Sequence, residues 1–277
     1  MVARFNSVET SPGAIMSGIA DGSRADAQVR KGAGALHPLL AALPPVTVVT
    51  GHYGVGKTNL ALNLAFDLAA AGFATTVVDL DVVNPYFRSS DHANEFSQAG
   101  MDLVAPLYAG TALDSPGLSG KVSTVVQQAY EEPARRRVVI DAGGDDVGAT
   151  ALGRFSGGIA AGEHALLFVV NERRNLTQTA QEAVEVLAEV QEKAHLAATG
   201  IVGNTHLQAE TDERTVLDAV PFAVEAARLA GLPLLVVTAP RCLAGSFGQP
   251  AWQEAASETE YGIYPVDVRV RTPWDQA

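Results

Sequence analysis

From Pro45 onward, short continuous apolar runs alternate with longer segments whose apolar positions recur every three to four residues. The runs predict strands at Val46–Thr50, Ala74–Leu80, Leu103–Pro106, Arg137–Ala142, Ala165–Asn171, Gly200–Asn204 and Leu234–Ala239. Most are unbroken Val/Ile/Leu stretches rather than apolar/polar alternations, as expected of parallel strands covered on both faces. The helical periodicity predicts helices at Thr58–Ala71, Leu118–Glu131, Thr177–His195 and Glu213–Ala230. Strands alternating with helices of this length form right-handed βαβ units. The expected fold is therefore α/β: a doubly wound, mainly parallel sheet with helices on both faces. The tail from Ala251 to Ala277 offers a short helix, a strand at Val266–Val270 and an exposed end, and no internal repeat is visible.

Residues 1–43 read differently. They mix Ser, Gly, Asp and Ala without strand periodicity, and only Gln28–Leu43 has a weak helical pattern. This stretch is expected to be a partly disordered extension that docks on the domain through Leu36, Leu39, Leu40 and Leu43. Residues 44–277 are expected to form one nucleotide-binding domain, for the following reason.

Val46-Thr-Val-Val-Thr-Gly51-His52-Tyr53-Gly54-Val55-Gly56-Lys57-Thr58 runs strand, glycine-rich loop, helix. It satisfies G-x-x-x-x-G-K-[ST] at every defined position and in the context that the motif requires. Glycines let successive backbone N–H groups turn into one concavity, and the helix that follows adds its positive end. Lys57 would reach the β and γ oxygens of a nucleotide, and the Thr58 hydroxyl would ligate Mg²⁺. Gly51 through Thr58, with Asn59 next to them, are thus the expected cofactor-binding residues of a P-loop NTPase fold. Two further segments place acids at strand ends. Thr76-Val-Val-Asp79-Leu-Asp81 sets two aspartates at a spacing of two, and Arg137-Val-Val-Ile-Asp141-Ala-Gly143-Gly144-Asp145-Asp146 ends an apolar strand in Asp before a glycine hinge. In P-loop proteins such an Asp holds the Mg²⁺ shell. The metal set is expected to be Thr58, Asp81 and Asp141, and the catalytic pair Lys57 and Asp81.

Composition narrows the function. The chain of 277 residues is 47% hydrophobic, enough for a sizeable core, and carries a net charge of −12. Nucleic-acid binding needs a basic face, and the longest basic run, Arg135–Arg137, reads as a solvated turn. No run of about eighteen apolar residues suggests a membrane span, and no signal peptide is evident. The single cysteine, Cys242, cannot form an internal disulfide or a paired-cysteine metal site. A cytoplasmic setting is expected, with neither nucleic acid nor membrane as partner.

With these residues in place, the segment from about Val46 to Pro240 resembles the MinD/ParA/CobQ-type branch of P-loop ATPases, the SIMIBI class. The resemblance rests on Gly51–Thr58, Asp79-Leu-Asp81, Asp141-Ala-Gly-Gly, Gly203-Asn204 and Val237-Thr-Ala-Pro240. It implies that Asp81 is the switch I acid orienting the attacking water and that Asp141 lies in switch II near Mg²⁺. It also implies that Asn204 reads the adenine edge and that Pro240 lies against the base. The likeness departs at one point: the branch commonly carries Lys-Gly early in the loop, where His52 and Tyr53 stand here. The lysine that reaches the partner's phosphate in ATP-bound dimers of this branch has no counterpart, so a homodimer is left open. The Gly-His-Tyr-Gly-Val-Gly-Lys-Thr loop, with Asp-Leu-Asp-Val-Val-Asn-Pro-Tyr-Phe-Arg, also resembles a subgroup described only as nucleotide-binding proteins.

Two functions compete on this sequence. One is a Mg²⁺-dependent, slow ATPase that acts as a nucleotide switch on a protein partner. The other is a small-molecule kinase or ATP-dependent ligase resembling dethiobiotin synthetase, for which Arg88, Arg154, Arg173, Arg174 or His206 would have to build a second anion pocket. In the first, Tyr86 and Arg88 of Asn84-Pro-Tyr-Phe-Arg88 are expected to move with the γ-phosphate. ATP is expected rather than GTP, because Asn204-Thr-His-Leu lacks the Lys and Asp of a guanine-reading N-K-x-D.

Overall fold

In the computed structural model the described residues are 36–81, 95–105 and 116–270. Eight parallel strands form one sheet in the order β3-β2-β4-β1-β5-β6-β7-β8. They are β1 (Val46–Thr50), β2 (Ala74–Asp79), β3 (Asp102–Val104), β4 (Arg136–Asp141), β5 (His164–Val170), β6 (Gly200–Gly203), β7 (Leu234–Pro240) and β8 (Ile263–Val266). The chain skips a position between β1 and β2, which β4 later fills, and then works outward on the other side through β5 to β8. The strand order therefore reverses at β1, and the crevice beyond its carboxyl end is where such sheets bind ligands.

Helices with bounds among the described residues include α1 (Pro38–Ala42), α2 (Lys57–Ala70), α3 (Pro116–Glu131), α4 (Asp146–Gly153), α5 (Ser156–Ile159), α6 (Ala180–Ala194), α7 (Glu213–Leu217), α8 (Val220–Ala230) and α9 (Pro250–Ser257). The continuous apolar strands feed two cores. Val48, Val78, Ile140, Phe168 and Val170 pack on the side of α3, α4, α6 and α8. Their neighbours Val49, Val77, Val139, Leu167 and Val169 pack on the side of α1 and α2. Strand residues alternate between faces, so a run apolar at every position is a strand buried on both sides. Leu39, Leu40 and Leu43 are buried in the second core and Leu36 packs against it, which is the docking expected of the extension's end.

Three departures from expectation have local causes. The helix expected from Thr177 starts at Ala180, because Thr179 and Glu182 form a reciprocal capping box at 3.2 and 2.9 Å. The helix expected over Glu213–Ala230 is two helices, and Pro221, in the first turn of α8, cannot donate into a helix continuing from α7. The strand expected at Val266–Val270 is instead β8 at Ile263–Val266, after which residues 267–270 run along α2 and bond to its asparagine side chains. Among the described residues no helix is long and apolar enough to cross a membrane.

Candidate functional site

The loop after β1 takes a shape that only glycine allows at three points: Gly51, Gly54 and Gly56 have φ of 149°, 77° and 91°. A side chain on Gly51 would run into the Val169 carbonyl, and one on Gly56 into the Asn204 amide and the His206 ring. Gly56 is also the N-cap of α2 and supplies no side-chain cap, so the helix presents uncapped N–H groups to the loop. Lys57 is 5% exposed; its ammonium donates to the His52 carbonyl at 3.3 Å and stands 3.9 Å from Asp81 Oδ2. A curled chain of this kind, closed by a buried lysine, suits a polyphosphate.

The acids come together around it. Asp79 and Asp141 are register partners at the ends of β2 and β4, and Asp141 is also level with Val49 of β1. Because β2 ends at Asp79, the period-two argument for Asp81 stops there. Asp81 N donates to Asp79 Oδ1 at 3.0 Å, and this turn brings the Asp81 carboxylate to Lys57. Thr58 donates its hydroxyl to Asp141 Oδ2 at 2.6 Å, while Asp141 Oδ1 is buried with no hydrogen-bond partner. Burial pushes the Asp141 carboxyl up to about 6, against the opposing pull of Lys57 and Thr58 and with a smaller push from Asp81. A buried carboxylate with an orphaned oxygen beside a threonine hydroxyl fits a Mg²⁺ shell. Among the described residues no group of three or more His, Cys, Asp or Glu could hold a metal unaided.

The other expected residues divide. Burial and, less strongly, Lys57 lower the His52 pKa below its ordinary value, against the pull of Asp145. Tyr53 is 62% exposed at the loop tip. The Val55 carbonyl accepts from Asn204 Nδ2 at 2.7 Å, and Thr238 donates to Asn204 Oδ1 at 2.5 Å. Asn204 therefore ties the loop to the ends of β6 and β7, where Pro240 ends β7 beside it in the sheet. Asn59 gives its amide to the chain end, donating to the Asp267 carbonyl at 3.0 Å and accepting from Arg269 N at 2.8 Å. Asn84–Arg88 lies outside the described residues.

Sequence reasoning missed the structural partners Thr238 and Asn63, and had no motif to single out Arg174 and His206, which lie against Gly54 and Gly56. It also missed an open cleft of about 580 Å³ beside the loop, lined by His52, Gly144, Asp145, Asp146, Leu176 and Glu182 among others. Gly144 packs so close to Gly51 that a Cβ would overlap the Gly51 carbonyl, which fixes the hinge after β4 against the phosphate loop.

Residues 46–229 match the family model of the CobQ/CobB/MinD/ParA nucleotide binding domain. No match was found among curated proteins. Solved structures similar in fold include the Signal Recognition Particle 54 kDa protein from Aeropyrum pernix K1 in complex with GDP. It is 14% identical, with 71% of this chain and 44% of that chain covered and a TM-score of 0.47. The signal recognition particle receptor FtsY from Elizabethkingia anophelis in complex with GDP is 18% identical, with 70% and 57% covered and a TM-score of 0.45. The kinase domain of the Escherichia coli tyrosine kinase ETK is 17% identical, with 60% and 69% covered and a TM-score of 0.41. The chain spans about half the length of the first two. With the family match covering most of the chain, the chain belongs to the CobQ/CobB/MinD/ParA nucleotide-binding domain family.

Proposed function

We propose that this protein is a Mg²⁺-dependent ATP-binding protein and slow ATPase of the cytoplasm that acts as a nucleotide switch on a protein partner. The observation that carries the reading is the joining of Lys57, Thr58, Asp81 and Asp141 around one loop, with Gly143 and Gly144 two and three residues after Asp141. Lys57 and Mg²⁺ would neutralise charge on the transferred phosphoryl group, Thr58 and Asp141 would hold the metal shell, and Asp81 would position the attacking water. Held by Thr58 and Asp141, Mg²⁺ would supply a double positive charge against the charge that develops on the phosphoryl group. ATP is preferred in this reading because Leu207 stands where a guanine reader needs an acid. Asn204 and Pro240, at the ends of β6 and β7, are the proposed base-side residues. Tyr53, Val147 and Leu176, which are 62%, 57% and 66% exposed around the loop and the following hinge, favour a protein partner at this edge.

One observation favours a second reading, a small-molecule kinase or ligase. The open cleft beside His52 could seat a metabolite next to the γ-phosphate.

Phosphate release separates the two. With ATP and Mg²⁺, the wild type is expected to turn over slowly without any metabolite, and both Lys57→Ala and Asp81→Asn are expected to abolish turnover. Silence until a metabolite is added would favour the kinase. Turnover that survives in Lys57→Ala, or a preference for GTP, would overturn the proposal.

A further inference from the structure

The loop holds one cation, Lys57, and it already faces Asp81 and lies close to Asp141. A nucleoside triphosphate brings several negative charges to this place, and Mg²⁺ offsets only part of them. A second cation lies on the loop from outside the motif. Arg174 sits on the connection from β5 to α6, and its Cδ, Nε and Cζ lie 3.5–3.7 Å from where a Cβ of Gly54 would be.

That connection is built as a rigid bracket. Arg173 N donates to Asn171 Oδ1 at 2.9 Å, the Thr177 hydroxyl donates to the Asn171 carbonyl at 3.0 Å, and Glu172 N donates to Thr205 Oγ1 at 3.4 Å. Leu176 holds a φ of 64°, a left-handed conformation that costs a branched residue free energy and persists only where its surroundings enforce it. Arg174 is thus delivered to Gly54 by an ordered turn.

Its head group is nevertheless uncommitted. Arg174 Nε is buried without a hydrogen-bond partner, and among the described residues no carboxylate forms an ion pair with it. Arg241, by contrast, pairs with both Asp67 and Asp267. In a chain of net charge −12, a partly buried guanidinium left unpaired is an exception to the rule that buried charges are paired.

His206, on the loop leaving β6, repeats the pattern over Gly56. Its Nδ1 accepts from Gln208 N at 3.3 Å, so in the neutral ring Nε2 carries the proton. That Nε2 is buried, unpartnered and 2.7 Å from the Gly56 Cβ position. Burial and the neighbouring Arg174 lower the His206 pKa to about 4, so the pair carries one positive charge and one neutral N–H donor.

We propose that Arg174 is a second phosphate-binding residue, supplied by the same chain, and that the polyphosphate of a bound nucleotide completes its open hydrogen bonds. His206, over Gly56, adds one donor. This rests on the reading that a nucleotide occupies the loop. Planar, two-pronged phosphate contacts are what arginine makes better than lysine, and an arginine supplied in cis is one known way to stabilise a transferring phosphoryl group.

The test is calorimetric titration of Mg·ATP, Mg·ADP and adenosine into wild type, Arg174→Met, Arg174→Lys, His206→Gln and Lys57→Ala, with thermal melts of each. Arg174→Met keeps the aliphatic body on Gly54 and removes the donors. It is expected to weaken ATP and ADP binding about ten- to hundredfold, the range for losing a charged hydrogen bond, while leaving adenosine binding and the melting temperature unchanged. Arg174→Lys is expected to recover part of the loss, and His206→Gln to cost only a few-fold by the same reasoning. If Arg174→Met binds both nucleotides as the wild type does, while Lys57→Ala has lost them, Arg174 is a packing prop and the proposal fails alone. A melting temperature lowered together with affinity in Arg174→Met, and not restored in Arg174→Lys, would overturn it in the same way. A wild type that binds no nucleotide sinks both this proposal and the functional reading beneath it.

Discussion

Helix α2 has two edges of opposite character. On the phosphate side, Asp141 Oδ1, Arg174 Nε and His206 Nε2 are buried without partners. On the other, toward the chain end, Asn63, Asn59 and Arg241 each make two or more bonds to distant segments. Asn63 donates to the carbonyls of Asn59 and Asp267 at 2.8 and 2.9 Å and accepts from Asp267 N at 2.8 Å. Asn59 binds Asp267 and Arg269, Arg241 joins Asp67 to Asp267, and the Arg269 guanidinium lies 3.9 Å over the Phe66 ring. Buried polar groups cost free energy unless paired. The edge bonded by Asn59, Asn63 and Arg241 is therefore a structural seam, and on the proposal above a ligand completes the bonds of the phosphate side.

The sharpest way to break this contrast is at Gly56, which touches Asn204 and His206. Gly56→Ala forces a left-handed backbone and a steric overlap together. It is expected to lower stability by roughly 2 to 5 kcal/mol and to abolish nucleotide binding, read by chemical denaturation and titration. Next in size is the seam itself. Asn63→Ala removes three hydrogen bonds and is expected to cost about 2 to 3 kcal/mol while ATP affinity stays within about threefold of wild type, because no bond of Asn63 reaches the loop. A large loss of affinity at unchanged stability would show that the seam belongs to the site.

The third prediction concerns Asp141. Its pKa is raised from 3.8 to about 6 on folding, so the folded protein binds more protons than the unfolded chain between those values. Nucleotide-free stability should then rise as pH falls from about 6 toward 4. At neutral pH Asp141→Asn should stabilise the nucleotide-free protein by about 1 to 2 kcal/mol and remove that pH dependence. Denaturant melts across pH check both, and a destabilised Asp141→Asn would mean that its bond from Thr58 outweighs the burial of charge. The smallest effect is expected at Tyr53, where Tyr53→Ser should leave stability within about 0.5 kcal/mol. If a protein partner docks at this edge, the same change should weaken its binding.

Much of this was legible in the sequence, for physical reasons. Apolar runs covered on both faces left little ambiguity, so the expected strands at Val46–Thr50, Arg137–Ala142, Ala165–Asn171 and Leu234–Ala239 agree with β1, β4, β5 and β7 to within one residue at each end. The glycine spacing of the loop encodes its own conformation, and Gly51, Gly54 and Gly56 all have positive φ. What escaped depends on contacts between distant segments. Val266–Val270 alternates like a strand, but its backbone partners are Asn59 and Asn63 side chains some two hundred residues away. Arg174 and His206 reach the loop from two separate connections, and no local pattern marks either. The bonds of Asn204 to Val55 and Thr238 likewise join separate segments that no local pattern links.

The most direct measurement is calorimetric titration of ATP and of GTP, with Mg²⁺, into the wild type and Lys57→Ala. Saturable, Mg²⁺-dependent binding of ATP in preference to GTP, lost in Lys57→Ala, is the expected result. Binding that the mutant retains in full, or no nucleotide binding by the wild type, would contradict the assignment of the loop as a phosphate site.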